Sequence, residues 1–234
     1  MNGREAGDIL VVGAGVAGAS VALRLADAGR HVTVLARTPL LDSASNQAMG
    51  GIAAAIAPDD SPALHLADTL AAGGELCRES TVRGVVERAP AAIEWLLSQG
   101  VQFDRDGEAL DLTQEGAHSR RRVVHAADTT GRAVMEALLR RLRAHPRITL
   151  LERHAAVDLL VETDPAVPGG RRCCGAQALD LERGLLRALH ADHVVLATGG
   201  ASGIYAISTN RSRPVGDGIA LAWRAGCRVG DMEM

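Results

Sequence analysis

The sequence has 234 residues and a formal net charge of -3, with 47% hydrophobic and 23% charged residues. This length fits one large α/β domain, or one domain with a small satellite. The near-neutral charge gives no reason to expect nucleic acid or an anionic membrane as a partner. The cysteines lack C-x-x-C spacing, which indicates reduced thiols, and no apolar run reaches the ~20 residues of a membrane helix. We therefore expect a cytoplasmic protein.

The first forty residues predict a βαβ unit. Residues 8–12 read as a short buried strand, and the glycine-rich run 13–18 turns this strand directly into a helix that continues to about Ala28. Gly29 ends the helix, and residues 31–35 read as the next strand. A strand, a helix and a second strand in this order imply a parallel sheet.

Further elements follow in chain order. Helices are predicted over 63–72, 80–99, 133–145 and 219–225, and strands over 148–151, 155–161, 174–181 and 193–197. Residues 100–112 predict a hairpin or irregular excursion with Asp106-Gly107 at its turn, and the strand at 174–181 could pair back as a meander. The predicted class is α/β, with a Rossmann-like domain, a parallel central sheet and a small β-meander.

The glycine run has the G-x-G-x-x-G spacing of a dinucleotide-binding turn. Gly13 permits the tight turn, Gly15 lets the backbone approach a pyrophosphate, and Gly18 allows the helix to pack closely on the strand. The helix N-terminus then offers N–H groups and a positive dipole end to the phosphates. A turn without a ligand would show the same glycines, but the flanking strand and helix favour the binding interpretation.

Arg37 stands where a dinucleotide-binding sheet usually has an acidic residue for the ribose. An arginine there could indicate a 2′-phosphate and hence NADP. It could also belong to a flavoprotein branch with a basic residue at this point, or be a solvated loop cation. The residues of the βαβ unit leave these alternatives open.

Three later segments resemble the flavoprotein family that joins the L-aspartate oxidases to the flavoprotein subunits of succinate dehydrogenase and fumarate reductase. Residues 48–54 (A-M-G-G-I-A-A) resemble that family's A-Q-G-G-I-A-A segment, residues 197–200 resemble its A-T-G-G strand end, and residues 216–220 (G-D-G-I-A) resemble its G-D-G-x-A segment. Their order and spacing match over residues 8–234. The resemblance implies a single FAD-binding domain over residues 1–234, with an excursion at about 100–128 directed toward the active site.

The resemblance also implies the residues that contact FAD. Glycines at 50 and 51 leave room for a flavin ring beside the backbone, and Asp217 lies near the ribityl chain unless it is only a helix cap. Met49 replaces the family's glutamine, and residues 44–47 lack the histidine that carries covalent FAD, so non-covalent binding is expected. The implied contacts are Gly13, Ala14, Gly15, Val16, Ala17, Gly18, Arg37, Ala44, Ser45, Asn46, Gln47, Ala48, Met49, Gly50, Gly51, Ala155, Ala156 and Asp217.

The segment 112–128 distinguishes the members of this family. It resembles the L-T-x-E-G-x-H-S-x-R-R-x-x-H-A-x-D run of the L-aspartate oxidases, in which the glutamate orients the substrate, so Glu115 is predicted to recognise an α-ammonium group. His118 and His125 are placed in the active-site neighbourhood without a specific role, or they are satisfied loop histidines. At least one of Arg120, Arg121 and Arg122 is expected to be a solvated cation.

The implied reaction is the oxidation of L-aspartate to iminoaspartate in NAD (pyridine nucleotide) biosynthesis, with FAD as hydride acceptor and O2 or fumarate as its oxidant. Its partners are therefore small molecules. Family members draw their carboxylate-binding groups largely from a capping domain, which we expect to be absent here together with the C-terminal helical domain, so residues 1–234 should be inactive alone. The alternatives are a fumarate reductase or succinate dehydrogenase flavoprotein, an NADP-binding module, and a non-catalytic remnant. We find no metal-ligand pattern.

Overall fold

The computed structural model describes residues 8–210 and 214–232. The helices are α1 (Val16–Asp27), α2 (Pro62–Ala72), α3 (Glu79–Ser98), α4 (Thr130–Ala144) and α5 (Asp217–Arg224), with short 3-10 helices at Gly74–Leu76 and Ser202–Ile204. The strands are β1 (Ile9–Val12), β2 (Val32–Ala36), β3 (Ile52–Ala53), β4 (Arg105–Asp106), β5 (Ala109–Leu110), β6 (Leu112–Thr113), β7 (Val123–Val124), β8 (Ile148–Glu152), β9 (His154–Thr163), β10 (Arg171–Asp180), β11 (Leu185–His190) and β12 (His193–Leu196).

The chain forms two compact units. The first unit contains Met1–Asn46 and Leu138–Met234, and the second unit contains residues 47–137. The division falls within α4.

The first unit is built on a parallel sheet in the order β12-β1-β2-β8. Ile9 pairs with His193 on one side and with Val32 on the other, so β1 lies between strands from distant parts of the chain. All four residues of β1 are buried, as expected for a parallel strand that is covered on both faces. The predicted βαβ unit is confirmed.

Helix α1 packs on this sheet through small residues. Its buried face consists of Gly18, Ala19, Ala22, Leu23 and Ala26, which allows a close approach of helix and strand. Gly29 follows the helix with φ = +90°, a left-handed conformation that favours glycine after a helix end.

An antiparallel meander in the order β11-β10-β9 covers the parallel sheet. Leu10, Leu35, Ala176, Ala178 and Leu189 form part of one buried cluster that joins the two layers. The meander was predicted with a strand at 174–181. The structure places that strand at Arg171–Asp180, which starts three residues earlier and ends one residue earlier, and adds β11, which was not predicted.

The second unit contains α2, α3, the small sheet β3-β7-β6 and the hairpin β4-β5. Ser61 caps α2 by accepting a hydrogen bond from the Leu64 N–H, and Pro62 occupies the first helical position. Both helices and the hairpin confirm the prediction, and α3 continues through Pro90. Helix α4 begins at Thr130, three residues before the predicted start.

Candidate functional site

Glycine occupies three positions of the turn after β1 for different structural reasons. A Cβ atom at Gly13 would overlap the carbonyl oxygen of Ala197, and one at Gly18 would overlap the carbonyl oxygen of Gly13. These two glycines are therefore required by the protein's own packing. At Gly15 a Cβ atom would meet only the Ser45 hydroxyl oxygen, at 3.1 Å. Gly15 thus leaves a space that the protein does not fill with backbone.

The N-terminus of α1 is open to an anion. Gly15 is the N-cap and provides no side-chain cap, the first turn holds no acidic residue, and Val16 and Ala17 are exposed. Ser45 accepts a hydrogen bond from the Val16 N–H at 3.1 Å, which holds the segment after β2 beside the turn. A helix N-terminus with these properties binds phosphate groups readily.

A small cavity of about 80 Å³ lies beside the ends of β1 and β2. Arg37 and Asp217 both line it and form an ion pair with each other. Ala155, Ala156 and other small or aliphatic side chains complete its wall. The cavity is lined by Val12, Leu35, Arg37, His154, Ala155, Ala156, Thr198, Asp217 and Leu221. Four residues that the resemblance implied as FAD contacts therefore lie around one cavity of the first unit, and Arg37, although exposed, is paired with Asp217 there.

Asp217 does not act as a helix cap. Gly216 is the N-cap of α5 with φ = +78°, Asp217 is the first helical residue, and no side-chain cap hydrogen bond is formed. Gly218 packs directly on Thr198, because a Cβ atom there would overlap the threonine side chain. The close packing of the 197–200 and 216–218 segments places the Asp217 carboxylate at the cavity, so the capping interpretation is wrong.

The segment 44–51 is divided between the two units. In the first unit, the Asn46 N–H donates to the Ser43 hydroxyl at 3.2 Å, while the Asn46 Oδ1 atom is buried and has no hydrogen-bond partner among the described residues. Ala44 lies in this turn, and Ser45 is held by its bond to Val16.

Residues 47–51 belong to the second unit. The Gly131 N–H donates to the Ala48 carbonyl at 2.9 Å, and both Gln47 and the Met49 side chain are exposed. A Cβ atom at Gly51 would overlap Val123, whereas at Gly50 it would meet nothing within 4 Å. Gly51 is therefore explained by packing on β7. The absence of a side chain at Gly50 has no such explanation.

Glu115 lies on a turn of the second unit between β6 and β7. The residue is exposed, and its carboxylate forms no ion pair or hydrogen bond within residues 8–210 and 214–232. The turn is closed by the His118 N–H, which donates to the Glu115 carbonyl at 3.2 Å, and by Gln114, which donates to the His118 carbonyl at 2.7 Å. Ala117 has φ = +65°. A defined turn therefore carries a carboxylate without a partner among the described residues.

Arg122 is the buried member of the arginine run 120–122, and the sequence alone did not distinguish it from the other two. Its side chain is 0% exposed and is held by Asp60 and Asp68. It donates twice to Asp60, at 2.8 Å each, and once to Asp68 at 2.7 Å. Arg120 and Arg121 are exposed, so the expectation of at least one solvated cation is confirmed.

Among the carboxylates near this turn, Asp68 has the most strongly shifted pKa. The backbone N–H and then the hydroxyl of Ser119 donate to it at 2.8 and 2.7 Å. Together with Arg122, these hydrogen bonds lower the pKa of Asp68 from 3.8 to about 2. For Arg122, burial disfavours the charge, but the hydrogen bonds to Asp60 and Asp68 outweigh it and raise the pKa.

The predicted histidines have partners within the second unit. His125 Nδ1 lies 3.0 Å from Asp104 Oδ2, and Nε2 lies 3.5 Å from Asp111 without forming a hydrogen bond. His118 Nδ1 lies 3.3 Å from the guanidinium of Arg122. The ring of His65 meets that of His118 at 5.7 Å between centroids. Burial lowers the pKa of His65, with Arg122 the next cause.

The residues of the first unit fit an FAD molecule. Its pyrophosphate requires N–H groups at a helix N-terminus, and α1 begins at Gly15, an N-cap residue without a side chain. A ribose or ribityl hydroxyl requires a hydrogen-bonding partner, and Asp217 offers one at the cavity. The orphaned Oδ1 of Asn46 can accept a hydrogen bond from a ligand, which would remove the cost of burying it unpaired.

The parallel sheet, the glycine turn and the cavity beside its strand ends define a dinucleotide-binding protein of the Rossmann-like class. The sequence profile described as "FAD binding domain" matches residues 8–234. The chain belongs to this family, and FAD is its cofactor. This decides against the NADP interpretation of Arg37.

Curated proteins with similar sequences include L-aspartate oxidases. "L-aspartate oxidase 1" of Ralstonia nicotianae is 50% identical over 229 residues, and the Pseudomonas aeruginosa L-aspartate oxidase is 45% identical over 234 residues. Each alignment covers 97% of this chain. The chain spans 43% of the length of either relative.

Solved structures confirm the fold. A mutant of E. coli quinol fumarate reductase superposes with a TM-score of 0.85 at 29% identity, covering 93% of this chain and 37% of that one. The Mycobacterium smegmatis Sdh1 complex gives a TM-score of 0.83 at 28% identity, covering 95% of this chain and 39% of that one.

Other site types find no support in the described ranges 8–210 and 214–232. No helix there is long and apolar enough to cross a membrane, and no group of His, Cys, Asp and Glu side chains is arranged to hold a metal ion. All four cysteines are free thiols.

Proposed function

We propose that this chain is the FAD-binding part of an L-aspartate oxidase, which converts L-aspartate to iminoaspartate in NAD biosynthesis with O2 or fumarate as final oxidant. Relatives of 40–50% identity that carry this name support the proposal. We further propose one FAD-binding domain over residues 1–234, a cytoplasmic location and small-molecule partners only.

The observation that carries the proposal is the unpaired carboxylate of Glu115. L-aspartate differs from succinate and fumarate by its α-ammonium group. A carboxylate without a partner in the described part of the chain can form a charge-assisted hydrogen bond with that group. An enzyme that acts only on dicarboxylates would gain nothing from an added negative charge beside its substrate.

Residues of this chain would hold the cofactor non-covalently, and FAD when bound supplies the acceptor for the substrate's α-hydride. Gly15 and the N-terminus of α1 bind the pyrophosphate in this proposal. Asp217 and Asn46 accept hydrogen bonds, and Gly50 leaves room beside the flavin. Glu115 orients the substrate, while His118 and His125 remain members of the neighbourhood without an assigned step.

A fumarate reductase or succinate dehydrogenase flavoprotein is the second candidate. The solved structures at 28–29% identity favour it. Against it stand the higher identity of the L-aspartate oxidases and the unpaired Glu115. The two candidates differ in turnover of L-aspartate against succinate.

The test is Glu115→Gln in a chimera that joins this chain to the carboxy-terminal part of the Ralstonia nicotianae relative. The lost contact should lower kcat/KM for L-aspartate by about ten- to a hundredfold, equivalent to ~1.5–3 kcal/mol. Fumarate reduction should hardly change. Glu87→Gln, an exposed glutamate on α3, is the matched control. Equal losses on both substrates would contradict the proposed role of Glu115.

A further inference from the structure

We propose that Asp60, Asp68, Ser119 and Arg122 form an anchor, centred on the buried Arg122–Asp60 pair, that positions the carboxylate of Glu115. Asp68 and Ser119 are then positioning residues for recognition of the substrate's ammonium group. The inference rests on the proposed function and assigns the polar network beneath the turn a part in it.

The composition of the anchor requires an explanation beyond stability. Arg122 and Asp60 are fully buried side chains, and Asp68 is largely buried. An apolar cluster of similar volume stabilises a fold as well as a buried ion network does, because the network must first lose its hydration. What charged partners add is direction, since each hydrogen bond fixes an angle as well as a distance.

The anchor is connected to the turn that carries Glu115 by consecutive hydrogen bonds. Asp68 accepts hydrogen bonds from the backbone N–H and the hydroxyl of Ser119. The backbone N–H of Arg122 donates to the Thr113 carbonyl at 3.2 Å. Both ends of the loop are thus held. Between them, Ala117 keeps a left-handed backbone that residues other than glycine rarely adopt, and such a conformation persists only where its surroundings fix it.

The anchor also sets the state of His118. A guanidinium can only donate hydrogen bonds, so the Nδ1 atom that faces Arg122 at 3.3 Å must accept. This contact therefore requires the tautomer with its proton on Nε2. This tautomer gives the network a spectroscopic signature that does not depend on turnover.

The first experiment uses the chain itself. Hydrogen–deuterium exchange of peptides covering 113–122 should become about tenfold faster in Asp68→Asn and in the milder Ser119→Ala, because the opening of a segment becomes easier when its anchoring bonds are lost. Ser119→Thr, which keeps the hydroxyl, should restore slow exchange. The control is Asp59→Asn, which removes only an exposed carboxylate 3.8 Å from Arg120.

Nitrogen-15 NMR of the imidazoles provides the second readout, with His118→Gln used to assign the signal. The wild-type signal should show the Nε2–H tautomer. Unchanged exchange in both variants, or an Nδ1–H tautomer at His118, would overturn the anchor.

Kinetics of the chimera separate positioning from general stability. Asp68→Asn should lower kcat/KM for L-aspartate by about tenfold or more while fumarate reduction changes less than about threefold, because a displacement of ~1 Å can cost up to a hundredfold in rate. In the Glu115→Gln background Asp68→Asn should cause little further loss on L-aspartate, as expected for residues that act through one another. Losses that multiply in the double variant, or that are equal on both substrates, would refute the positioning role. If Glu115→Gln alone lowers turnover of L-aspartate and of fumarate equally, the proposed function fails. The hydrogen–deuterium exchange experiment still tests the anchor independently of that result.

Discussion

Gly15→Ala should weaken FAD binding without unfolding the first unit. The backbone at Gly15 has φ = -67° and ψ = -177°, which an L residue adopts freely. The added Cβ atom would meet only the Ser45 hydroxyl at 3.1 Å, a side chain that can rotate away. The methyl group would instead occupy the space in front of the α1 N-terminus, where the pyrophosphate is expected.

The magnitude follows from the helix N-terminus. An anion there contributes up to ~2 kcal/mol in a partly buried setting, so a displaced pyrophosphate should raise the Kd by about five- to thirtyfold for losses of ~1–2 kcal/mol. Gly13→Ala makes a sharp contrast. Its Cβ atom would overlap the Ala197 backbone at a left-handed φ of +109°, so that variant should lose the fold together with the cofactor.

Titration of FAD by isothermal calorimetry, with thermal unfolding followed by circular dichroism, measures both effects. Gly84→Ala is the matched control: it makes the same chemical change within α3, where alanine should stabilise the helix by up to ~1 kcal/mol, and FAD affinity should not change. An unaltered Kd in Gly15→Ala would mean that the glycine turn serves only as a connection between β1 and α1.

Three further predictions concern cofactor linkage, pH and activity. Acid precipitation of the FAD-loaded protein should leave the yellow colour in the supernatant, because residues 44–47 offer no histidine for a covalent bond; colour retained in the pellet would contradict this. The pKa of His65 lies below its usual 6.5 in the folded state, so the unfolded chain binds more protons and stability should fall as the pH drops below about 6.5. Urea unfolding at pH 7.5 and 5.5 should show a smaller difference in His65→Gln than in the wild type. Residues 1–234 loaded with FAD should produce no hydrogen peroxide from L-aspartate, because they span 43% of the relatives' length and correct positioning of a substrate can contribute ~7–11 kcal/mol. Turnover near that of a full-length relative would show that the substrate site is misplaced.

The sequence predicts the elements whose signals are local. The βαβ unit carries its own strand, glycine and helix signals within forty residues, and α2 and α3 follow from their apolar periodicity. Strand β11 (Leu185–His190) was missed because all but one of its residues are exposed, so it shows no buried face from which a strand could be recognised. The first turn of α4 was missed because it begins Thr130-Gly131-Arg132, without an apolar residue.

Likewise, only the part of the candidate site that has a local sequence signal could be predicted. The glycine turn was predicted from its motif and Asp217 was implied by the family resemblance, but the pairing of Asp217 with Arg37 joins residues 180 positions apart. Arg122 follows two other candidates for burial, Arg120 and Arg121, and nothing local distinguishes it from them. Its partners Asp60 and Asp68 lie 62 and 54 residues earlier in the chain. A spacing rule cannot find partners that only the tertiary fold brings together.

The pairing of β1 with β12 has a consequence for protein synthesis. Ile9 is made 184 residues before its sheet partner His193, an interval of about 10–40 s at ribosomal rates of ~5–20 residues per second. Over this time one edge of β1 has no strand beside it, and Gly13 has no Ala197 carbonyl to pack against. The nascent chain must keep this apolar strand from pairing with other chains until the last part of the sheet has been translated.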